Sequence, residues 1–296
     1  MARRRRGKIY NTICDAPQGA GFSIERMSEF VGRENEDKTL PHVHPFYEIV
    51  WFRTSGGTHT VDFIDYPVEA NTMFFIAPGQ VHHFDKDALQ SGIVFKFCTD
   101  FMCEESAMEN LFIKYNIFYP CTTCAYCTVR PDKVAELERL VAAMEDEMGR
   151  GDSFGHADVL RSLMTLFLVC VRRSSTHETA AALTIAHSSH RLFVRFRQEL
   201  EAHYMEYHSV QEYAERLSVN SRTLSNTVME CTGRSASAFV NDRIILEAKR
   251  LLRYSSLMIK EIVFYLGYDD PSYFVKFFKR QTGYLPSDFR VNRTKD

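Results

Sequence analysis

The stretch IKEIVFYLGYDDPSYFVKFFKRQTG, residues 259–283, decides the fold of the C-terminal part of the chain. An earlier stretch, VQEYAERLSVNSRTLSNTVMECTG at residues 210–233, repeats its design. Corresponding apolar residues lie 49 positions apart before a short turn and 50 positions apart after it. Each copy has apolar residues at helical spacing, then the turn, then a helix with a polar start, which is the pattern of a helix-turn-helix unit.

Each unit is predicted to have a scaffold helix followed by a recognition helix. The scaffold helices are expected at 210–217 and 259–266. Asn220 is expected to cap a recognition helix that ends near residue 231, and Asp269 to cap a second one at 271–281. A helix over 237–252 joins the two units, and its buried face is predicted to hold Phe239, Ile244, Ala248, Leu251 and Leu252.

The second unit and the helix before it carry a pattern that resembles a known family. The pattern is Arg243-x3-Glu247-Ala248-x2-Leu251-Leu252, then Ile259-x2-Ile262-x3-Leu266-Gly267-Tyr268-x4-Tyr273-Phe274-x3-Phe278-Lys279-x3-Gly283-x2-Pro286-x2-Phe289-Arg290. It is similar to the DNA-binding domain of the AraC/XylS family of bacterial transcription regulators. The chain is identified on this pattern as a member of that family.

The resemblance implies which side chains contact DNA. Exposed positions early in the two recognition helices are implied to face base edges: Ser221, Arg222, Ser225 and Asn226 in the first unit, and Asp270, Pro271, Ser272 and Lys276 in the second. Arginine can contact guanine through two hydrogen bonds, and asparagine can read adenine in the same way. Lys279 and Arg280 are better candidates for phosphate contacts, which position a protein without choosing a sequence. The alternative for any one of these residues is an ordinary solvated helix face.

The distribution of charge favours a polyanionic partner for the C-terminal part. The 296-residue chain has 36 Lys and Arg against 38 Asp and Glu, a net charge of −2. Residues 187–296 hold 17 basic and 13 acidic residues, so the positive share lies there. The chain has no apolar run long enough to cross a membrane and no secretory leader, so we expect a cytoplasmic protein without a membrane partner.

The N-terminal part is predicted to be β-rich and then helical. Short β-rich runs at 47–52, 58–64, 73–77 and 93–98 alternate with turn signals, among them residues 65–67, which favours an antiparallel barrel. From Pro131 the apolar period changes to that of a helix, and Gly149 ends it. A second, largely apolar helix is expected at 157–173 and needs a packing partner.

Histidines and a glutamate surround the first strong strand. His42 and His44 precede it, Glu48 lies in it, and His82 follows a Pro-Gly turn. Imidazole and carboxylate groups that converge in one cavity suit a divalent transition metal. The arrangement resembles the cupin barrel, whose metal-binding members use a His-x-His, Glu and His set. The N-terminal domains of AraC/XylS regulators commonly keep such a pattern while they serve as effector pockets or folding scaffolds.

The resemblance therefore implies an effector pocket without a metal or other cofactor. The candidate pocket residues are His42, His44, Tyr47, Glu48, Trp51, Phe74, His82 and Phe95. A metal-containing sensor and a metal-dependent enzyme are the alternatives. The structural alternative for His44 and Glu48 is a hydrogen-bonded pair at the barrel mouth that holds strand ends together.

Three of the eight cysteines form a second local cluster, Cys121-x2-Cys124-x2-Cys127. Thiols at this spacing can bind zinc or an iron–sulfur cluster or act as a redox pair, but a closed structural zinc site needs a fourth ligand. Ordinary small, partly buried side chains are the favoured interpretation.

These patterns predict an α+β chain. The predicted segments are a cupin-like antiparallel β-barrel that binds an effector at 1–130, a helical dimerisation segment at 131–175, a linker at 176–189, and an all-α DNA-binding domain with two helix-turn-helix units at 190–296. The expected protein is a transcription regulator and not an enzyme. Its expected partners are double-stranded promoter DNA, a second copy of the chain, RNA polymerase and a small-molecule effector of unknown identity. A cupin enzyme fused to a DNA-binding domain and an effector-independent dimeric DNA-binding protein are the alternatives.

Overall fold

The computed structural model describes residues 17, 21–27, 40–85, 91–102, 126–151, 153–174 and 187–291. The chain divides into two compact units, one of Thr12–Ala180 and one that contains Ala181–Asp296. We call them the N-terminal unit and the C-terminal unit. The division between them falls inside the linker that is predicted at 176–189.

Eight strands are found among the described residues of the N-terminal unit. They are β1 (Phe22–Arg26), β2 (Tyr47–Phe52), β3 (Thr58–Val61), β4 (Ile64–Pro67), β5 (Thr72–Ile76), β6 (His82–Phe84), β7 (Gly92–Phe97) and β8 (Tyr126–Thr128). Antiparallel pairing gives one sheet in the order β1-β7-β2-β5-β8 and a second in the order β4-β3-β6. The α+β class is confirmed. The strands that the structure describes form two sheets, however, and do not close into the single barrel that was predicted.

One strand that the sequence predicts, 58–64, is two strands joined by a tight turn. Asp62 and Phe63 both have positive φ, 46° and 74°, a conformation typical of two-residue hairpin turns. The Asp62 carboxylate accepts hydrogen bonds from the Val81 N–H and from Gln80 Nε2, which holds the turn in place. β4 therefore takes up residues 65–67, which were predicted to form a turn. Pro67 is tolerated because β4 is an edge strand.

The central strand β2 is buried on both faces, and its side chains alternate between two apolar clusters. Ile49 and Trp51 belong to a cluster shared by the five-stranded sheet and two helices. Val50 and Phe52 belong to a second cluster that contains residues of both sheets. Because successive side chains of a strand point to opposite faces, these two clusters are separated by the sheet.

The two predicted helices of the N-terminal unit are confirmed as α1 (Val134–Met148) and α2 (His156–Ser174). A short 3₁₀ turn, Pro131–Lys133, precedes α1. Phe167 of α2 packs between the sheet residues Trp51 and Phe95, with ring centroids 6.2 Å and 4.9 Å away. Burial of one such side chain contributes about 2 to 3 kcal/mol. Most of the apolar side chains of both helices are thus buried within the N-terminal unit.

The described part of the C-terminal unit is all helical. Its helices are α3 (His187–His203), α4 (Val210–Arg216), α5 (Ser221–Thr232), α6 (Ala236–Tyr254), α7 (Ile259–Tyr265), α8 (Pro271–Thr282) and α9 (Pro286–Val291). The predicted scaffold helices are α4 and α7, the recognition helices are α5 and α8, and the joining helix is α6. The five predicted core residues of α6 are all buried. The sequence patterns did not predict α3 and α9.

The joining helix α6 also buries charge. Arg243 Nε donates to both carboxylate oxygens of Glu201 at 3.0 and 2.9 Å, and its Nη1 donates to Glu247 at 3.1 Å. Arg250 also donates to Glu247, at 3.4 Å. The guanidinium of Arg243 lies over the Tyr204 ring, 3.8 Å from its centroid. This network fixes α3 against α6, since Glu201 and Tyr204 lie at and just beyond the end of α3.

Candidate nucleic-acid interface and effector site

The first recognition helix, α5, has a capping residue at each end. The Asn220 side chain accepts a hydrogen bond from the Thr223 N–H at 2.7 Å, so the predicted N-cap is confirmed. Gly233 ends the helix with a φ of 69°, which glycine adopts without strain. Leu224 and Val228 face the core, and the opposite face exposes Arg222 and Asn226.

The second recognition helix, α8, is capped by Asp270 and not by Asp269 as predicted. Asp270 Oδ1 accepts a hydrogen bond from the Ser272 N–H at 2.8 Å. The reason is Pro271, because a proline forces the residue before it out of the helical region, and Asp270 has a φ of −108° and a ψ of 105°. Asp270 is itself one of the residues implied to face base edges, and its carboxylate is engaged in capping the helix.

The candidate DNA-contacting residues occupy equivalent places in the two units. Arg222 and Asn226 of α5 correspond to Ser272 and Lys276 of α8, 50 positions later, and all four side chains are exposed. Ser221, Ser225 and Pro271 are half-buried, and Lys279 and Arg280 are exposed near the end of α8. The structure thus gathers the candidates on the solvent faces of two similar helices.

The duplication extends to individual backbone hydrogen bonds. In the first turn the Val219 N–H donates to Ala214 O at 3.0 Å, and in the second the Tyr268 N–H donates to Val263 O at 3.1 Å. The residues at the bends, Ser218 and Gly267, both have positive φ, 57° and 79°. The two helix-turn-helix units therefore share one backbone design.

The ends of the recognition helices repeat as well. The Thr232 hydroxyl donates to Val228 O and accepts from the Arg234 N–H, at 2.6 and 3.1 Å. The Thr282 hydroxyl donates to Phe278 O and accepts from the Tyr284 N–H, at 2.8 and 3.2 Å. Each threonine is followed by a glycine in the left-handed conformation, and the two ends are therefore closed in the same way.

A contact between the two helix-turn-helix units was not predicted from the sequence. His208, in the loop before α4, donates a hydrogen bond from Nε2 to Leu266 O in the turn of the second unit, at 2.9 Å. A Cβ atom placed on the neighbouring Gly267 would lie 1.9 Å from Met205 O, so only glycine fits there. The first loop is thereby packed directly against the second turn.

In the N-terminal unit, three of the predicted site residues come together. His44, Glu48 and His82 are buried, and each offers a ligand atom within 4.8 Å of the others. His82 Nε2 lies 3.8 Å from Glu48 Oε1, and the His44 ring donates from Nδ1 to Phe46 O at 2.7 Å. Two imidazoles and one carboxylate fit the ligand preferences of a divalent transition metal, so the residues present suit such an ion.

Two further histidines adjoin this group. His42 contacts Leu40 O through Nδ1 at 2.9 Å, and its ring lies 4.2 Å from that of His82. His59 of β3, which the sequence analysis missed, has its Nε2 3.1 Å from His82 Nδ1. Burial lowers the pKa of His59 well below its usual value, and His42 and His83 lower it further. The imidazole of His59 is therefore neutral at ordinary pH.

The remaining pocket candidates are divided between the two faces of the five-stranded sheet. Phe74 lies on the histidine side, 4.6 Å from the His59 ring. Trp51 and Phe95 pack against Phe167 on the helix side, and Tyr47 stacks on Phe97 there at 5.4 Å. The structure thus does not bring Trp51, Phe95 and Tyr47 to the histidines, because neighbouring strand positions alternate in direction.

The cysteine cluster lies only partly within the described residues. Cys127 is buried in β8 and makes no disulfide with another described cysteine, whereas Cys121 and Cys124 fall outside the described ranges. The interpretation of these cysteines as ordinary, partly buried side chains therefore stays a prediction. None of the helices among the described residues is long and apolar enough to cross a membrane.

Comparison with known proteins shows which kind of domain the C-terminal unit contains. A family model described as a helix-turn-helix domain matches residues 213–292. The transcriptional activator RhaS of Escherichia coli is 25% identical over 255 residues, which cover 85% of this chain and 87% of RhaS. The match to RhaS therefore includes residues of both the N-terminal and the C-terminal unit.

Solved structures include partial and full-length neighbours. The DNA-binding domain of AdpA in complex with target DNA is 26% identical and covers 34% of this chain and 90% of its own, with a TM-score of 0.31. ToxT from Vibrio cholerae is 12% identical and covers 93% of this chain and 98% of its own, with a TM-score of 0.39.

The family assignment rests on the paired units and on the sequence matches. The two helix-turn-helix units share the backbone of their turns and the C-terminal ends of their recognition helices, and they are joined by α6. The domain match covers both helix-turn-helix units except for the start of α4. The RhaS match extends further, into the N-terminal unit. The domain match and the similarity to RhaS therefore support a transcription regulator of the AraC/XylS type, with a helix-turn-helix domain in its C-terminal unit.

Proposed function

We propose that this DNA-binding transcription regulator recognises a specific promoter sequence through α5 and α8 and responds to a small effector bound in the N-terminal unit. The observation that carries the DNA part is the equivalence of the two recognition helices, whose exposed polar positions recur 50 residues apart on helices with matching C-terminal ends. Helices of this kind enter the major groove with their N-terminal residues toward the bases.

The length of the joining helix supports binding of the two recognition helices to neighbouring grooves. The joining helix α6 has 19 residues and is about 28 Å long at 1.5 Å per residue. Successive major grooves on one side of DNA are about 34 Å apart. We therefore infer that the two helices occupy successive major grooves, with Arg222 and Asn226 in one and Ser272 and Lys276 in the other.

Selection of bound sequences from a random DNA pool with the full chain tests this proposal. We expect a motif with two separated blocks of preferred bases about one helical turn apart. A substitution in α5, Arg222→Ala, is expected to relax one block and leave the other unchanged. Binding without sequence preference, or a motif with one block only, would contradict the two-groove arrangement.

A homodimer formed through the N-terminal unit is part of the proposal. Two apolar side chains on one side of α2, Val159 and Leu166, are 42% and 47% exposed, whereas the core-facing residues Leu160, Met164 and Phe167 are buried. A second copy of the chain could cover them. Analytical ultracentrifugation should show a dimer that Leu166→Glu weakens, whereas Thr165→Glu, at the neighbouring exposed position, leaves it intact.

Control of transcription follows from the family and from the name of RhaS as an activator. We infer that the regulator, when bound at the promoter, contacts RNA polymerase directly. Transcription in a purified system, with and without the regulator, tests the sign of its effect. A regulator that binds the selected DNA but changes no transcript would contradict this part of the proposal and leave the DNA-binding part standing.

A further inference from the structure

We propose that the effector sensed by the N-terminal unit is a divalent transition metal ion, bound by His44, Glu48 and His82 and supported by His59. This inference rests on the proposed function for its regulatory role, but the metal site itself stands on the geometry of the described residues. The sequence patterns favour a sensor without metal, and the arrangement of these side chains favours an ion.

The distances within the group suit a shared ion better than a hydrogen-bonded pair. His82 Nε2 and Glu48 Oε1 are 3.8 Å apart, which is longer than a hydrogen bond. Two ligands of one tetrahedral zinc, each about 2.1 Å from the metal, lie about 3.4 Å from one another. The three ligand atoms are within 4.8 Å of one another, so small side-chain rotations bring them to bonding distance.

The histidine rings are held so that their metal-binding nitrogens face the group. His44 donates from Nδ1 to Phe46 O at 2.7 Å, which leaves the lone pair on Nε2. His82 binds a metal through Nε2 only if its proton is on Nδ1, and His59 Nε2 lies 3.1 Å from that atom as an acceptor. Outer hydrogen bonds of this type fix the tautomer and orientation of a ligating histidine.

The set differs from the one that the barrel resemblance implies. The described residues whose ligand atoms lie within 4.8 Å of one another include His44 but not His42. His59 comes from β3, where its ring stacks on Phe84 with centroids 4.8 Å apart. An apolar wall on that side shields the site from water, and the three protein ligands leave coordination positions open.

The test uses the full chain without a histidine tag, freed of metal by chelator. Cobalt(II) is added and its visible absorption is recorded, because the bands report ligand type and geometry. We expect one Co²⁺ per chain, with bands of nitrogen and oxygen ligation and without thiolate charge-transfer bands. Thiolate bands, or less than one bound ion per chain, would overturn the proposal by assigning the metal to the cysteines or to no site.

Variants separate the ligands from their support. Glu48→Gln and His82→Gln should each weaken Co²⁺ binding at least roughly 100-fold, and His59→Phe, which keeps an aromatic ring of similar size, by roughly 10- to 100-fold. His83→Gln, on the opposite face of β6, is the matched control and should stay within about 3-fold. Equal affinities for the wild type and the ligand variants would overturn the site, and circular dichroism of the metal-free proteins verifies that each variant is folded.

The regulatory role is measured separately as affinity for the selected DNA, with and without Zn²⁺ or Co²⁺. A change in DNA affinity that Glu48→Gln abolishes supports the ion as effector. Tight metal binding without any change in DNA affinity would overturn the effector role. Loss of all DNA binding in the metal-free and the loaded wild type alike would instead contradict the proposed function, so the two failures are distinguishable.

Discussion

The ring of His208 lies parallel to the ring of Tyr268, with the centroids 4.2 Å apart and the planes 6° apart. His208 precedes the scaffold helix of the first unit, and Tyr268 follows the turn of the second. The stack and the hydrogen bond from His208 to Leu266 connect loops that are about 60 residues apart in sequence. We therefore expect the angle between the two helix-turn-helix units to depend on this histidine.

Protonation of His208 should destabilise the C-terminal unit. Burial lowers the pKa of His208 below 6.5, although the Leu266 carbonyl and Glu212 act in the opposite direction. The unfolded chain then takes up a proton at a higher pH than the folded chain, so stability is lost as the pH falls from about 6.5 through the folded pKa. Urea unfolding followed by helical circular dichroism between pH 7.5 and 5 measures this loss.

The substitution His208→Gln should flatten that pH dependence and lower stability by about 1 to 2 kcal/mol, through loss of the stack. An unchanged slope in His208→Gln would assign the acid sensitivity to other groups.

Replacement of Gly267 by alanine should be far more damaging than replacement of Gly283. Both residues have positive φ, 79° and 82°, so alanine pays about 1 to 2 kcal/mol of backbone strain at either site. At Gly267 the new methyl would also meet Met205 O, whereas at Gly283 nothing lies within 4 Å. We expect Gly267→Ala to cost about 3 kcal/mol or more in denaturant unfolding. Equal losses would mean that the loop at Met205 moves away freely.

Two basic side chains should affect DNA binding in different ways. Arg222→Ala should cost about 1 to 3 kcal/mol on the preferred sequence and relax the choice of one base pair. Lys279→Ala should weaken binding to all sequences alike and reduce the salt dependence of the affinity by about one phosphate contact. Fluorescence anisotropy at several salt concentrations, on the selected sequence and on single-base variants, measures both effects. Uniform weakening by Arg222→Ala would place that residue at a phosphate.

Single substitutions of the buried charged residues of α6 should strongly lower the stability of the protein. Arg243→Met leaves Glu201 and Glu247 without their shared arginine, and we expect a loss of about 3 to 5 kcal/mol. Arg216→Met removes an ion pair with Glu199 of similar length but on the surface, and its effect should be much smaller. Thermal unfolding of both variants makes the comparison. Similar shifts would show that the buried network contributes little beyond packing.

The helical units could be predicted from the sequence because their signals are local. Apolar spacing, a capping Asn220 and a terminal Gly233 all lie within one helix length and define it almost completely. The cap of α8 was placed one residue early, since two aspartates stand side by side. Only the restriction that Pro271 imposes on its neighbour decides between them.

The N-terminal site could be predicted only in part because strand pairing is not local. The spacing of His44, Glu48 and His82 marked them as a group, but nothing near His59 in sequence connects it to His82. Their contact follows from the register of β3 and β6, in which His59 lies opposite Phe84. The Asp62-Phe63 turn was hidden for the same reason, because its hydrogen-bond partners come from the segment before β6.

The matching caps of α5 and α8 have a consequence for engineering. Since Thr232 and Thr282 close the C-terminal ends of their helices with the same hydrogen bonds, the exposed positions of one helix can be transplanted onto the other without redesigning that end. Exchanging Arg222 and Asn226 with Ser272 and Lys276 would swap the two halves of the recognised sequence along the DNA. A regulator with a reversed or doubled half-site could be built from this chain by four surface substitutions or fewer.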